Sequence, residues 1–397
     1  MGAKFSDRVV GQKMSYIASL NQQAATLGAQ GIKVIKLSGG DPSHVPDEML
    51  NILHDIKNEP KESIFSYSPI AGFDGLRGIL AKIASVRYEH HYEKENILIC
   101  SGGCSGLFLS LKTLLNPGDK VLIQEPCWEY LPRLIENCGG EVVRMQYFTD
   151  AYRTDDWPLL IKEVQGHLES GVKVISINSP LNPSGKIIPA QVTSILIKLA
   201  KKYGVWFLSD DVTTDFNYVE DGNRMIGNPS NFISVNSFSK NLGITGLRCG
   251  YVAGPEEFIN HLKKSQLYTF MYPNSLIQKV MERYLHDGGE AYFEFIRKVT
   301  TEYAKNAENY EKLLSSIPEL EVKKPDGGLF IFPKVRQGYS LDFEKFLKEY
   351  HVAIAPGIAF SPSCESNFRV FLGAEEKSVI QAVDLLEAYF VAERVRK

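Results

Sequence analysis

Short apolar runs alternate with stretches of helical periodicity from Asn96 to Tyr251. This alternation is typical of βα units, in which successive strands lie parallel in one sheet and helices cover its faces. Seven runs fit strands: Ile97–Ser101, Lys120–Glu125, Glu141–Tyr147, Val172–Asn178, Val205–Asp210, Phe232–Asn236 and Arg248–Ala253. Most of them are continuously apolar, as parallel strands buried on both faces are. The sequence therefore predicts an α/β fold with a mainly parallel seven-stranded sheet flanked by helices.

Beyond Pro273, long helical patterns replace this alternation. Helices are predicted over Glu290–Ser316 and Glu375–Arg394, and strands over Gly328–Pro333 and Phe368–Leu372. Such a mixture is typical of an α+β domain. We therefore predict an N-terminal segment that contributes to the small domain (1–45), a large domain (46–289) and a small C-terminal α+β domain (290–397).

Charge and composition exclude several classes of function. The 44 Lys plus Arg and 47 Asp plus Glu give a net charge of −3, so we expect no nucleic-acid partner. No apolar run approaches the ~18 residues that suggest a membrane span, and residues 1–12 lack a secretory pattern, so we expect a cytoplasmic protein without a membrane partner. The six cysteines show neither CxxC nor zinc-like spacing, which predicts reduced thiols and no metal site.

A glycine-rich turn follows the first predicted strand. Residues Gly102-Gly103-Cys104-Ser105-Gly106 lead directly into a helical pattern. Small residues and the free N–H groups of a helix start can bind an anion such as a phosphate. Turns of this kind also serve tight packing alone, so this turn leaves both interpretations open.

Polar motifs stand at the carboxyl ends of three further predicted strands. They are Asn178 to Gly185 (NSPLNPSG), Ser209-Asp210-Asp211 and Ser237-Phe238-Ser239-Lys240. Ligands of α/β sheets bind at this edge. A single lysine is normally a solvated surface residue, but a strand-end loop would direct Lys240 toward the cleft.

The order of these motifs resembles, along nearly the whole chain, the class I and II aminotransferases of fold type I, which use pyridoxal phosphate. The resemblance rests on Lys36–Pro42, Tyr67, Gly72, Leu76-Arg77, the turn at 102–106, Pro117–Asp119, Pro126–Trp128, Asn182–Gly185, Asp210, Ser237–Lys240, Arg248, Gly327–Phe330, Pro356-Gly357 and Asn367–Arg369. It implies pyridoxal 5'-phosphate as the cofactor, with an amino acid and a 2-oxo acid as substrates.

The resemblance implies that Lys240 and Asp210 are the catalytic residues. Lys240 would form the Schiff base with the cofactor and then move the proton at the substrate Cα. Asp210 corresponds to the carboxylate that pairs with the pyridine nitrogen and keeps it protonated, so that the ring accepts electrons.

The resemblance also implies a phosphate site. Arg248 corresponds to the phosphate arginine, and Ser237, Ser239 and the backbone of Gly103-Cys104-Ser105 would complete the site. Tyr67 corresponds to a tyrosine that reaches the phosphate from the neighbouring subunit. A homodimer is therefore expected.

Four residues are implied to bind the substrate, and two of them, Asn182 and Trp128, are implied to bind the cofactor as well. Arg369 corresponds to the arginine that binds the α-carboxylate, opposite the Gly40 backbone, and so orients the labile Cα bond. Asn182 corresponds to the asparagine on the phenolic oxygen of the cofactor. Trp128 corresponds to the aromatic residue that stacks on the cofactor ring, although a buried tryptophan is more often a core residue.

The sequence departs from the family pattern at three positions. Thr213 stands where a tyrosine usually binds the phenolic oxygen. Either a water, Tyr218 or another side chain replaces this contact, or the imine stays protonated more readily. Cys104 stands where the aspartate-using branch commonly has a lysine, which predicts a preference for a neutral amino acid. His44, where an aromatic residue is common, is either a specificity residue at the substrate mouth or an exposed loop residue.

Three functions are compatible with these features. An aminotransferase is favoured by Lys240 together with Arg369. A lyase, decarboxylase or oxidase on the same scaffold is the alternative that Thr213 keeps open. A non-catalytic binding module is disfavoured, because Lys240 is present and no helix-turn-helix pattern precedes residue 40.

Overall fold

The computed structural model describes residues 5–149, 155–219 and 230–395. The helices are α1 (Asp7–Val10), α2 (Tyr16–Ala29), α3 (Asp47–Asp55), α4 (Lys61–Phe65), α5 (Asp74–Tyr88), α6 (Gly103–Leu114), α7 (Leu131–Asn137), α8 (Trp157–Glu169), α9 (Ala190–Lys202), α10 (Phe238–Asn241), α11 (Glu256–Leu267), α12 (Ser275–Tyr284), α13 (Glu290–Ser315), α14 (Phe343–Tyr350) and α15 (Glu376–Val395). In the part of the chain just defined, none of them is long and apolar enough to span a membrane.

The strands are β1 (Ile35–Lys36), β2 (Ile97–Cys100), β3 (Lys120–Gln124), β4 (Glu141–Met145), β5 (Val172–Asn178), β6 (Trp206–Asp210), β7 (Phe232–Ser237), β8 (Gly250–Ala253), β9 (Leu320–Glu321), β10 (Phe330–Ile331), β11 (Lys334–Val335), β12 (Val352–Ala353), β13 (Ala355–Pro356) and β14 (Phe368–Phe371).

A seven-stranded sheet holds the order β2-β8-β7-β6-β5-β3-β4. The pairs among β4, β3, β5, β6 and β7 are parallel, and β8 runs antiparallel to both of its neighbours. Each predicted strand agrees with the observed one to within two residues at either end. The predicted mainly parallel seven-stranded sheet is therefore confirmed.

Helices cover both faces of this sheet. Leu98 and Leu208 share a core with side chains of α6 and α11. Ile99 and Phe207, their neighbours in sequence, share the opposite core with side chains of α5 and α9. Each buried side chain of this size stabilises the fold by roughly 1.5–3 kcal/mol. Both faces are buried, which explains why the strands are apolar throughout.

A separate core joins the N-terminal segment to the C-terminal part of the chain. Ile35 of β1 pairs with Val352 of β12 in a parallel register, and both pack with Val299 of α13. This contact supports the predicted contribution of residues 1–45 to the small domain. Tyr292 and Ile296, at the start of α13, pack instead in the core of the large sheet. The boundary at residue 290 therefore stays a prediction.

The carboxyl ends of β5, β6 and β7 meet at one edge of the sheet. Asn178 pairs in register with Asp210, and Asp210 pairs with Val235, two residues before Ser237. Strand β7 passes directly into α10, which contains Lys240. The topology thus places the three polar motifs together.

Candidate active site

A cavity of about 300 Å³ opens at this edge of the sheet. Eleven of the thirteen residues that the sequence nominates line it: Gly40, Gly103, Cys104, Trp128, Asn182, Asp210, Ser237, Ser239, Lys240, Arg248 and Arg369. They come from segments more than 300 positions apart in the chain. Ser105 and Tyr67 are not among its lining residues.

The glycine turn and Arg248 form one wall of the cavity. Gly102 adopts φ +90°, and a Cβ there would lie 2.7 Å from Arg248 Nη2, so glycine permits this close approach. The guanidinium donates to the carbonyls of Thr245 at 2.8 Å and Ser101 at 3.2 Å. Within the described ranges it makes no ion pair with a carboxylate. A cation without a counter-ion, beside the N-terminus of α6, fits a phosphate group.

The three nominated serines differ in where their hydroxyls lie. Ser237 Oγ caps α10 by accepting from the N–H of Ser239 at 3.2 Å, and Ser239 Oγ accepts from Arg248 Nη1 at 3.4 Å. Ser105 Oγ instead donates to the Gly102 carbonyl at 2.8 Å. The Ser105 side chain therefore stabilises the glycine turn and does not line the cavity.

Asp210 ends β6 and is 7% exposed. Burial raises the pKa of its carboxyl to about 7; the N–H of Val212 opposes this rise and the charge of Asp211 adds to it. Oδ1 accepts from the Val212 N–H at 3.2 Å, and no cationic side chain of the described chain donates to the carboxyl. A buried carboxyl without a partner cation fits a protonated ring nitrogen, which would favour its ionised form.

Asn178 connects Asp210 with the substrate side of the cavity. Its Nδ2 donates to the Asp210 carbonyl at 2.9 Å, and its Oδ1 accepts from the Asn182 N–H at 2.8 Å. Asn182 Oδ1 accepts in turn from Arg369 Nη1 at 3.0 Å. Sequence reasoning gave Asn178 no role of its own, although its position at the start of the NSPLNPSG motif was a usable signal.

Lys240 lies in the single turn of α10 and is largely buried. Burial lowers the pKa of its amine, while the charge of Asp41 raises it. Its Nζ donates to the Gly40 carbonyl at 2.5 Å and lies 3.5 Å from Asp41 Oδ1. A lowered pKa increases the neutral fraction of the amine, which is the form that acts as a nucleophile or a base.

Arg369 is a buried cation on β14. Its Cζ lies 3.8 Å from the centroid of the Phe330 ring and 4.8 Å from that of Phe360. Burial lowers its pKa to about 9, so the guanidinium stays charged at neutral pH. Among the described residues, Nε has no hydrogen-bond partner. Such a cation fits the carboxylate of a ligand.

Comparisons with known proteins identify the family. The model of class I and II aminotransferases matches residues 32–386. The chain belongs to this family. It is 27% identical to an aspartate aminotransferase of Pyrococcus horikoshii over 98% of both chains, and 28% identical to one of Thermotoga maritima over 89% of this chain and 91% of the other. An aspartate aminotransferase variant of Thermus thermophilus superposes with a TM-score of 0.87 at 23% identity, covering 98% of this chain and all of the other.

The chain is a pyridoxal-phosphate-dependent aminotransferase, an enzyme that transfers amino groups. The cavity fits this cofactor, because it combines an anion site at Arg248, a buried carboxyl at Asp210 and a buried amine at Lys240. These comparisons do not favour the alternative of a lyase, decarboxylase or oxidase.

Tyr67 lies outside the cavity of its own chain in this aminotransferase. Its side chain is 79% exposed, and its ring contacts that of Tyr272 with 4.7 Å between centroids. A role of Tyr67 in cofactor binding therefore depends on a second subunit.

The structure corrects both interpretations of His44. The imidazole is neither exposed nor at the mouth of the cavity; it is partly buried among the rings of Phe216, Phe295 and Tyr303. It lines a separate cavity, and burial lowers its pKa. Sequence spacing placed His44 near the Asp41-Pro42 turn but could not show on which side of the backbone its ring lies.

Thr213 lines the cavity of the aminotransferase, as its position in the motif implies. Tyr218, one of the substitutes considered for its hydroxyl contact, donates instead to the Gly328 carbonyl. Tyr218 is also not among the residues that line the cavity. The hydroxyl of Tyr218 is therefore bound to the backbone at Gly328.

The aromatic pair around Arg369 is a feature that sequence reasoning missed. Phe330 belongs to the Gly327–Phe330 motif, so its position could have been singled out. Phe360 stands in an ordinary apolar stretch without such a signal. The two rings replace water around the guanidinium and narrow the directions from which a carboxylate can approach.

Proposed function

We propose that this cavity transfers the amino group between an α-amino acid and a 2-oxo acid, with Lys240 holding the cofactor and moving the proton at the substrate Cα. One observation carries the proposal: the Lys240 amine, the buried Asp210 carboxyl and the Arg369 guanidinium line one cavity. When bound, pyridoxal phosphate accepts the electrons of the bond that breaks at Cα.

The residues of the cavity divide the task of holding the cofactor. Arg248, Ser237, Ser239 and the start of α6 would bind its phosphate. Asp210 would hold the proton on its ring nitrogen. Asn182 uses Oδ1 to accept from Arg369, which leaves its Nδ2 group to donate to the phenolic oxygen. Trp128, half-buried in the wall, would supply the stacking surface.

Arg369 and the Gly40 backbone would orient the substrate. The guanidinium already donates to Asn182 Oδ1 and to the Ser38 carbonyl at 3.1 Å, so its direction is fixed before a substrate binds. A carboxylate bound there fixes which Cα bond is broken. The Lys240 amine, 2.5 Å from the Gly40 carbonyl, lies at the same end of the cavity.

We also propose a preference for neutral amino acids. The cations that line the described cavity are Lys240, Arg248 and Arg369, and each has another role. The side chain of Cys104 is exposed to the cavity. The protein around it partly removes the thiol from water, which raises the pKa of the thiol, so the thiol is uncharged. A second substrate carboxylate would lose its hydration without gaining a cation. The names of the relatives favour aspartate, and 27% identity leaves room for a different side-chain pocket.

A homodimer is proposed, with Tyr67 reaching the active site of the neighbouring subunit. Phe65, Tyr67, Tyr268 and Met271 are exposed, and the ring of Tyr67 contacts that of Tyr272. Exposed apolar side chains of this size support a protein interface at this ring pair. A second copy would bury it and bring Tyr67 to a phosphate site.

A cytoplasmic location is proposed from the state of the cysteines. All six are free thiols, and four of them are buried. Cysteines that pack as free thiols and form no disulfide fit a reducing compartment. A single fractionation experiment with an antibody against the chain would test this location.

A spectroscopic assay tests the proposed reaction. The purified protein with bound pyridoxal phosphate is mixed with single amino acids, while its visible spectrum and the released products are followed. One 2-oxo acid released per site, with reversal of the spectrum by an added 2-oxo acid, is the expected result. Release of carbon dioxide, ammonia or hydrogen peroxide in the same amount would contradict transamination.

A further inference from the structure

A buried polar network lies behind the cavity wall and contains none of the residues that line the cavity. We call it the Asp215 network; it consists of Arg87, Asp215, Asn236, Asn241 and Tyr292. Arg87 Nη2 donates to both oxygens of Asp215 at 2.6 and 2.8 Å. Asp215 Oδ2 also accepts from Asn241 Nδ2 and from the Tyr292 hydroxyl, each at 2.6 Å. Arg87 Nη1 donates to Asn236 Oδ1 at 2.6 Å.

Each end of this network is a chain neighbour of a residue in the cavity. Asn241 follows Lys240, and Asn236 precedes Ser237. Asp215 lies in the loop that follows Asp210 at the end of β6. The network therefore connects the backbone beside Lys240, the backbone beside Ser237 and the loop after Asp210 to one ion pair.

The buried ion pair is poorly explained as a device for stability alone. The side chains of Arg87 and Asp215 are only 10% and 11% exposed. Removing two charges from water costs free energy that their attraction barely offsets, so buried pairs of this kind are weak evidence for stability. In some proteins such buried groups instead fix one orientation of the segments that they contact.

The hydrogen bonds of Asn241 also argue against a role in stability alone. Its Nδ2 donates to Asp215 and, at 2.8 Å, to the Tyr292 hydroxyl. Its Oδ1 is buried and, among the described residues, has no hydrogen-bond partner. An unsatisfied buried carbonyl destabilises a fold. The contribution of Asn241 therefore lies in the link that its Nδ2 group makes.

We propose that the Asp215 network positions Lys240, with Asn241 as the connecting residue. Helix α10 has only four residues, and a helix of that length does not hold its own conformation. The bond from Asn241 to Asp215 fixes the α10 turn against the loop that follows β6, and so restricts the position of the Lys240 amine relative to Asp210. This inference rests on the proposed role of Lys240; Arg87, Asp215 and Asn241 are positioning residues for it.

Asn241→Ala removes the hydrogen bond from Asn241 to Asp215 and keeps the Arg87–Asp215 ion pair. The chain offers a matched control in Asn231→Ala. Asn231 is also buried, donates only through Nδ2, to the Val205 carbonyl at 3.0 Å and the Ile197 carbonyl at 3.4 Å, and has an unpartnered Oδ1. Asn231 directly precedes β7, whereas Asn241 lies in α10, which follows the carboxyl end of β7. Comparing the two variants separates a positioning effect from the general cost of losing a buried amide.

Two measurements on the full-length protein are used. Hydrogen–deuterium exchange of residues 237–242 is measured with and without pyridoxal phosphate, and the kinetic isotope effect is measured with an amino acid deuterated at Cα. Asn241→Ala should accelerate exchange in this segment in both states. It should slow the proton transfer by about 10- to 100-fold, because a misplacement of about 1 Å costs that much, and so raise the isotope effect. Asn231→Ala should leave both at the wild-type value.

The proposal is overturned if Asn241→Ala leaves exchange and isotope effect unchanged, or if Asn231→Ala changes them equally. Asp215→Asn should reproduce the effects of Asn241→Ala, and wild-type behaviour of this second variant would also overturn the proposal. The exchange measurement does not depend on the reaction. Full turnover by a Lys240→Ala variant would refute the role of Lys240 itself, and the exchange data would still show whether the network orders α10.

Discussion

The amine of Lys240 donates a hydrogen bond to the carbonyl of Gly40 at 2.5 Å, across 200 positions of the chain. The same short segment accepts from Arg369 through the Ser38 carbonyl at 3.1 Å and the Gly39 carbonyl at 3.5 Å. Residues 38–40 therefore lie between the two cations that the proposed reaction needs. This backbone fixes the distance between Lys240, which would move the proton, and Arg369, which would hold the substrate carboxylate.

Lys240→Ala should abolish turnover while the protein still folds and binds some cofactor without a covalent link. The reason is that Arg248 and the start of α6, which would form the phosphate site, remain intact. Visible absorbance of the lysine-bound cofactor should be lost, and equilibrium dialysis should still detect binding. Lys279→Ala is the matched control, because Lys279 has a similarly buried side chain but pairs with Glu282 away from the cavity. Turnover by Lys240→Ala at the rate of this control would refute the assignment.

Asp210→Asn should change how the stability of the cofactor-free protein depends on pH. The carboxyl has a pKa of 3.8 in the unfolded chain and about 7 in the fold, so the folded protein binds the extra proton between these values. Wild-type stability should therefore fall as pH rises from 4 to 7, by up to about 4 kcal/mol from this group. Asp210→Asn should lose this part of the slope.

Urea unfolding at several pH values, with the cofactor removed, measures this difference. Asp384→Asn, a change at an exposed position of α15, serves as the control and should follow the wild-type curve. Parallel curves for the wild type and Asp210→Asn would contradict the raised pKa. Asp210→Asn should also lower turnover in the loaded enzyme, since an amide cannot keep the ring nitrogen protonated.

Arg369→Ala should lower kcat/KM for amino acids by the equivalent of about 2–5 kcal/mol, because it removes a charged bidentate contact and leaves the substrate carboxylate unpaired. Arg369→Lys should be intermediate, since an ammonium keeps the charge but not the planar fork. The control is chemical: an amine without a carboxylate should react equally with wild type and both variants. Equal losses for the amino acid and the amine would show that Arg369 acts by folding and not by binding.

Local patterns predicted most of this molecule. The strands of the large sheet were visible as apolar runs. Most cavity residues were indicated by the resemblance of ordered motifs to the class I and II aminotransferases. The side on which a side chain lies is set by packing between distant segments. His44 turned toward Phe295 and Tyr303, and Phe360 joined Phe330 around Arg369, through contacts that no local spacing encodes. No sequence pattern singled out Asn241, whose Nδ2 donates to Asp215 in the fold.

Hybrid dimers test the proposed role of Tyr67. Light scattering should give about twice the chain mass of 44.5 kDa. Tyr67→Ala should weaken cofactor binding, and Lys240→Ala should be inactive. If Tyr67 serves the neighbouring subunit, a dimer of one Tyr67→Ala and one Lys240→Ala chain has one site with both native residues. Mixing the two variants should therefore restore activity, and a mixture no more active than its parts would place Tyr67 outside the site.

The last prediction concerns the side chain of the substrate. Cys104 lines the cavity as a neutral thiol. The cations that line the described cavity, Lys240, Arg248 and Arg369, each have another proposed role. The wild type should therefore have a lower kcat/KM for aspartate than for a neutral, apolar or aromatic amino acid. Cys104→Lys should raise the ratio of the two constants in favour of aspartate. A hydrogen bond to a charged group contributes about 1.5–3 kcal/mol, so a change of about 10- to 100-fold is expected.

Cys104→Ser is the matched control, because it keeps the size of the side chain and adds no charge; the ratio should stay at the wild-type value. Steady-state kinetics with aspartate, phenylalanine and leucine, with one 2-oxo acid held in excess, give all the constants needed. The inference fails if wild-type kcat/KM for aspartate equals or exceeds that for every neutral amino acid. In that case a cation of the neighbouring subunit must bind the distal carboxylate, and single lysine and arginine replacements in the hybrid dimer would locate it.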